Sequence, residues 1–134
     1  TSHSKMKLLL ICLFFILISC GPNSQKNRTT LPDLPDPLEA GWEGKKVCEV
    51  VKENESVRVL KCVFPPNVRH ERHYHSPHIG YTLKGGKFQI KDDTGIREVE
   101  VPTGLSFSND EVSVHEVLNI GETTAEFLII ESKE

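Results

Sequence analysis

The sequence predicts an all-β domain, a sandwich or small β-barrel of about nine or ten short strands, and three observations carry that expectation. No window sustains an apolar stripe at helical spacing over several turns. Valine, isoleucine, threonine and phenylalanine fall instead into short runs. Clusters of Gly, Pro, Asn and Asp separate those runs at regular intervals, as turns do.

Taken in order, residues 46–51 and 57–64 are rich in valine and flank the polar turn Lys52-Glu53-Asn54-Glu55, so a hairpin is expected. Pro65-Pro66-Asn67 ends the second of these strands. Residues 68–75 and 79–84 follow as strands. Residues 87–91 and 96–101 flank the turn Asp92-Asp93-Thr94-Gly95. Residues 105–108, 112–118 and 125–131 complete the set, with Gly121-Glu122-Thr123 as the turn before the last. The one helical element expected is a turn near 38–42.

The chain has 134 residues, room for one domain of roughly 100 residues with appendages. Lys5 and Lys7 precede an apolar run over residues 8–18 that closes on Ser19-Cys20-Gly21, the layout of an export signal. Residues 1–5 precede the only methionine, Met6, and bear on no part of the fold. The run is shorter than the ~20 apolar residues a spanning helix needs. Its ending, Leu17-Ile18-Ser19-Cys20, resembles the lipobox of bacterial lipoproteins, which implies acylation of Cys20 and a membrane-anchored protein of the cell envelope; ordinary secretion is the alternative. Residues 20–38 then read as a tether, polar and carrying Pro22, Pro32, Pro35 and Pro37. The folded domain is expected at 39–134.

With Lys5 and Lys7 removed, 14 basic residues face 19 acidic ones, net −5. That balance gives no basic patch to neutralise phosphates, so nucleic acid is excluded as a partner. Cys48 and Cys62 sit in a context that permits a disulfide, but two small buried apolar side chains is the reading favoured at this point. No Cys-x-x-Cys spacing supports a redox or zinc-ribbon motif. Gly85-Gly86 is a turn signal, and no phosphate-binding loop or nucleophile elbow occurs.

Chemistry concentrates at His70-Glu71-Arg72-His73-Tyr74-His75-Ser76-Pro77-His78, which holds four of the six histidines. Alternation along a strand puts His73 and His75 on one face and His70 and Tyr74 on the other, so His70 is expected in solvent. His78 returns after the Ser76-Pro77 turn. Neutral imidazoles converging in this way suit zinc, copper, iron or nickel.

Two spacings match a family. Asn67, five residues, His73-x-His75, two residues, His78, six residues and Gly85 resemble the first motif of the cupins, small jelly-roll barrels that hold a metal. Gly104, five residues, Asp110-Glu111-Val112, two residues, His115, three residues and Asn119 resemble the second. Asn67 stands where the motif has glycine, and asparagine tolerates the left-handed backbone a tight turn needs. His78 stands where the family usually has glutamate, after a loop one residue shorter. The Gly41-Trp42-Glu43-Gly44 start, the Gly85-Gly86 pair and residues 115–119 are similar to small cupins grouped with a β-alanine degradation protein.

The resemblance implies a divalent transition metal (iron, manganese, nickel, copper or zinc) held by His73, His75, His115 and His78. Four neutral imidazoles would leave the metal its full charge and favour an anionic ligand. Should His78 turn away, three histidines and open positions remain, a set suited to oxygen or water chemistry. Glu71 shares the parity of His73 and His75, so it reads either as an acceptor for an imidazole N–H or as a rim carboxylate paired with Arg58 or Arg69. Tyr81 is the candidate barrel-lining phenol. Two function classes follow: a metal-dependent dioxygenase acting on a small anionic or enolisable substrate, its catalytic residues not identified, or a non-catalytic metal or small-metabolite binding module tethered to the envelope. The resemblance also implies a homodimer.

Overall fold

The computed structural model describes Gly21 and residues 30–133. The signal segment and the Cys20 acylation site lie outside the described residues. Eleven strands form: β1 Gly41–Trp42, β2 Lys45–Lys46, β3 Cys48–Glu53, β4 Val57–Phe64, β5 Arg69–His75, β6 His78–Lys84, β7 Gly86–Asp92, β8 Gly95–Val101, β9 Ser106–Asn109, β10 Ser113–Asn119 and β11 Ala125–Ser132. The excess over the expected nine or ten comes from the two-residue pair β1 and β2 around Glu43-Gly44, and the turn expected near 38–42 lies slightly upstream, closed by the Ala40 amide on the Asp36 carbonyl at 2.9 Å. The described residues contain no helix.

The long strands make two sheets, one in the order β5-β10-β7-β8 and one in the order β3-β4-β11-β6-β9. Among the described residues the sheets do not hydrogen-bond into one closed barrel; they face each other across a shared core. Strand β11 shows why the chain folds this way. Ala125, Phe127 and Ile129 alternate with more exposed residues and point into the core, and Glu131 continues the same parity inward. From β4 come Leu60, Cys62 and Phe64, and from β7 comes Phe88. Phe64, Phe88 and Phe127 meet edge to face with ring centroids 5.3–5.9 Å apart.

Cys48 and Cys62 are directly opposite in the β3–β4 pairing, and they form a disulfide. The reading of two unpaired buried thiols is therefore corrected: a cross-strand register on one inward face brings the two sulfurs together. Asn67 adopts a left-handed backbone with φ of 64°, as its motif position requires. Gly85 is needed for close approach, since a Cβ there would fall 2.1 Å from the Val101 carbonyl oxygen.

The packed body reaches upstream of residue 39. Pro37 is buried, and Asp36 caps the turn after it by accepting from the Leu38 and Glu39 amides at 2.9 Å. The Tyr74 amide donates to the Pro35 carbonyl. Proline and polar composition read as a tether, yet residues 35–40 lie as a strap against β5.

Candidate metal centre

Strand pairing builds the centre. His73 and His75 alternate onto the inner face of β5, and His115 of β10 is the direct cross-strand partner of His73. The two rings are 4.7 Å apart between centroids, and those of His75 and His115 are 5.0 Å apart. One ligating atom from each of these three residues lies within 4.8 Å of the others, an arrangement that could hold a metal ion.

The hydrogen bonds determine which nitrogens face inward. His73 Nδ1 donates to the Glu71 carbonyl at 2.6 Å, and His75 Nδ1 donates to a Glu131 carboxylate oxygen at 2.8 Å. In a neutral ring the other nitrogen is then a bare lone pair. Those two Nε2 atoms sit 2.9 Å apart, and His115 Nε2 lies 3.1 Å from that of His73. With no proton between His73 and His75, the contact lacks a donor. A cation would supply what the pair is missing. Two nitrogens at right angles on a metal, each about 2.1 Å from it, stand about 3 Å apart, so the donor set fits.

Electrostatics favour the ligating form. Burial, partly opposed by the Glu71 carbonyl, lowers the pKa of His73. Burial and the neighbouring imidazoles push His75 and His115 well below the ordinary histidine value. All three rings are neutral near pH 7, as ligands must be.

Behind His75 lies a charged chain. The second Glu131 oxygen accepts from Arg58 Nη2 at 2.7 Å, and Arg58 Nη1 reaches Asp36 at 3.0 Å. Glu131, 3% exposed, thus orients a ligand candidate and ties it to the strap. No motif marks Glu131, Arg58 or Asp36. The parity of β11 is the one sequence signal that could have found Glu131.

The remaining candidates land elsewhere. His70 is 2% exposed, not in solvent as expected. Its ring stacks on His73 at 3.8 Å, and its Nε2 donates 3.0 Å to the Pro37 carbonyl. Burial, reinforced by His73, drives its pKa down to about 3. Strict alternation breaks because the β5–β10 register shifts between His115 and Val117, so β5 carries an extra residue at Glu71-Arg72. This bulge turns His70 inward and leaves the Glu71 side chain exposed; Glu71 contributes its carbonyl, and the acceptor role expected of its carboxylate falls to Glu131. Tyr81 is 45% exposed on the outer side of β6 and does not line the interior. His78 opens β6 beside His75, 4.7 Å between centroids, but stands outside the tight three-histidine group, its Nδ1 donating to the Ser76 carbonyl at 2.9 Å.

The histidines form one end of a cavity of about 540 Å³ between the sheets. Phe64, Phe88, Phe107 and Phe127 line it, and of its lining Leu105 and Phe107 are partly exposed.

Several solved structures share this architecture. A cupin domain from Bordetella pertussis Tohama I superposes with a TM-score of 0.62 at 27% identity, over 66% of this chain and 93% of that one. The fold is a cupin fold. The polyketide cyclase RemF from Streptomyces resistomycificus shares it, with a TM-score of 0.55 at 20% identity, over 76% of this chain and 75% of that one. So does a double-stranded β-helix protein from Klebsiella pneumoniae, with a TM-score of 0.53 at 15% identity, over 66% and 76%. No protein-family model and no curated protein sequence matches the chain.

Proposed function

We propose that this cupin is a metal-binding protein of the cell envelope, carried there by an acylated Cys20, and that it acts as an oxygenase on a small anionic or enolisable substrate. One observation carries the metal reading: His73 and His75 point lone pairs at each other with their Nδ1 protons already committed. His73, His75 and His115 would hold a divalent transition metal, which supplies Lewis acidity and open coordination positions.

The chain's own residues do the rest. Glu131 fixes the His75 tautomer, and the Glu71 carbonyl fixes that of His73. His78 lines the cavity with its Nδ1 proton spent on Ser76, so its Nε2 lone pair is available to accept a proton from a bound molecule. The wall beside the histidines is largely apolar, so a bound molecule would displace water from it.

The test is oxygen uptake. Protein loaded with iron, manganese, nickel or copper is assayed against enolisable 1,3-dicarbonyl compounds and 2-hydroxy acids. Uptake in the wild type that disappears in His75→Ala supports the oxygenase. A second reading, a binding module without turnover, is favoured by the scarcity of bases in the cavity: besides the histidines, Glu100 is its one carboxylate. Metal retention without oxygen uptake across the panel would select it.

A further inference from the structure

The cavity walls speak to the kind of molecule that reaches the histidines. Its aromatic residues are contiguous with the imidazoles: Phe64 meets His70 edge-on at 6.1 Å, and Phe107 meets His78 at 6.4 Å. Phe127 joins the two sides, 5.9 Å from Phe64 and 6.3 Å from Phe107. Ile90, Val99, Val101 and Val117 close the opposite wall.

Charge is nearly absent from this surface. Apart from histidines, the lining holds one cation, Arg97, and one anion, Glu100. The Arg97 guanidinium is already bound to Asp92 at 2.7 Å and is about half exposed. Arg58 lies behind His75, outside the lining, and is held by Glu131 and Asp36. A ligand with two ionised groups would therefore have one of them desolvated without a counter-charge. A ligand with an apolar body would cover wall that otherwise faces water.

We infer that the cavity takes a molecule with an apolar, ring-bearing body and a single oxygen donor, carboxylate, phenolate or enolate, directed at the histidines, and that small polyanions are poor ligands. This rests on the metal reading above and narrows it: the anionic part is the head of the ligand, and the rings carry the affinity.

The experiment uses zinc-loaded full chain, since zinc suits imidazole and does no redox chemistry. Zinc content is measured first, and 2-naphthoate, acetate and oxalate are then titrated calorimetrically. The expected result is that 2-naphthoate binds at least about tenfold more tightly than acetate or oxalate. In Val99→Trp, on the edge strand β8, a larger ring fills the wall and that margin should vanish with zinc content unchanged. Oxalate or acetate binding as tightly as 2-naphthoate to zinc-loaded protein overturns the inference and leaves the metal reading standing. A margin that survives Val99→Trp also overturns it, because the rings would then bind elsewhere. Failure to take up zinc brings down the metal reading and this inference with it, and the zinc analysis separates that case from the others.

Discussion

The Glu131 carboxylate lies 2.8 Å from His75 Nδ1, across 56 residues of sequence, and its other oxygen is held by Arg58. The last strand, β11, thereby supplies the partner that orients an imidazole of β5. Replacing Glu131 by glutamine keeps an acceptor and removes the charge that favours the Nδ1–H tautomer. Glu131→Gln should weaken metal binding about 10–100-fold in competition with a chelator, with His73, His75 and His115 intact. Unchanged affinity would mean that Glu131 serves the fold alone.

His70 separates packing from ligation. His73→Ala, His75→Ala and His115→Ala should each remove most bound metal, whereas His70→Ala should retain it. Loss of a fully buried ring and its bond to Pro37 should instead cost about 2–4 kcal/mol in denaturant unfolding. Metal loss in His70→Ala equal to that in His73→Ala would contradict the assignment of roles.

The strap gives a pH signature. Burial tends to raise the pKa of Asp36, but the Glu39 amide, Arg58 and the Leu38 amide outweigh it and hold the carboxyl below its ordinary value. A carboxyl depressed in the folded state adds stability above its unfolded pKa and loses it as the pH falls through the folded value. Wild-type protein should therefore lose stability below about pH 4 more steeply than Asp36→Asn. Parallel acid limbs for the two proteins would show that the Asp36 contacts contribute nothing.

The disulfide closes a loop with a sequence separation of 14. Cys48→Ala with Cys62→Ala should lower unfolding free energy by about 3 kcal/mol through the looser unfolded chain. Metal content should not change, because neither cysteine belongs to the histidine group. A stability equal to wild type would remove the bridge from the account.

The all-β architecture was legible because alternation and turn residues are local signals, and they survive in β4, β7 and β11 without tertiary information. The trio His73, His75 and His115 was legible for a related reason: an H-x-H pair needs only strand parity, and a motif spacing supplied the third. His70 was misplaced because a β-bulge at Glu71-Arg72 shifts parity by one residue and leaves no mark in composition. The disulfide depended on β3–β4 register, which the strand patterns leave free by a residue or two. Asp36 and Pro37 were hidden by their proline-rich setting, and only the fold reveals that this segment packs on β5.

The central claim is that the three convergent imidazoles hold a metal. Elemental analysis of wild type and His115→Ala, both purified without added metal, tests it most directly. The account predicts about one transition-metal ion per wild-type chain and almost none in the variant. A metal-free wild type that takes up none of the five metals when they are offered, or a variant that retains as much metal as wild type, would contradict it.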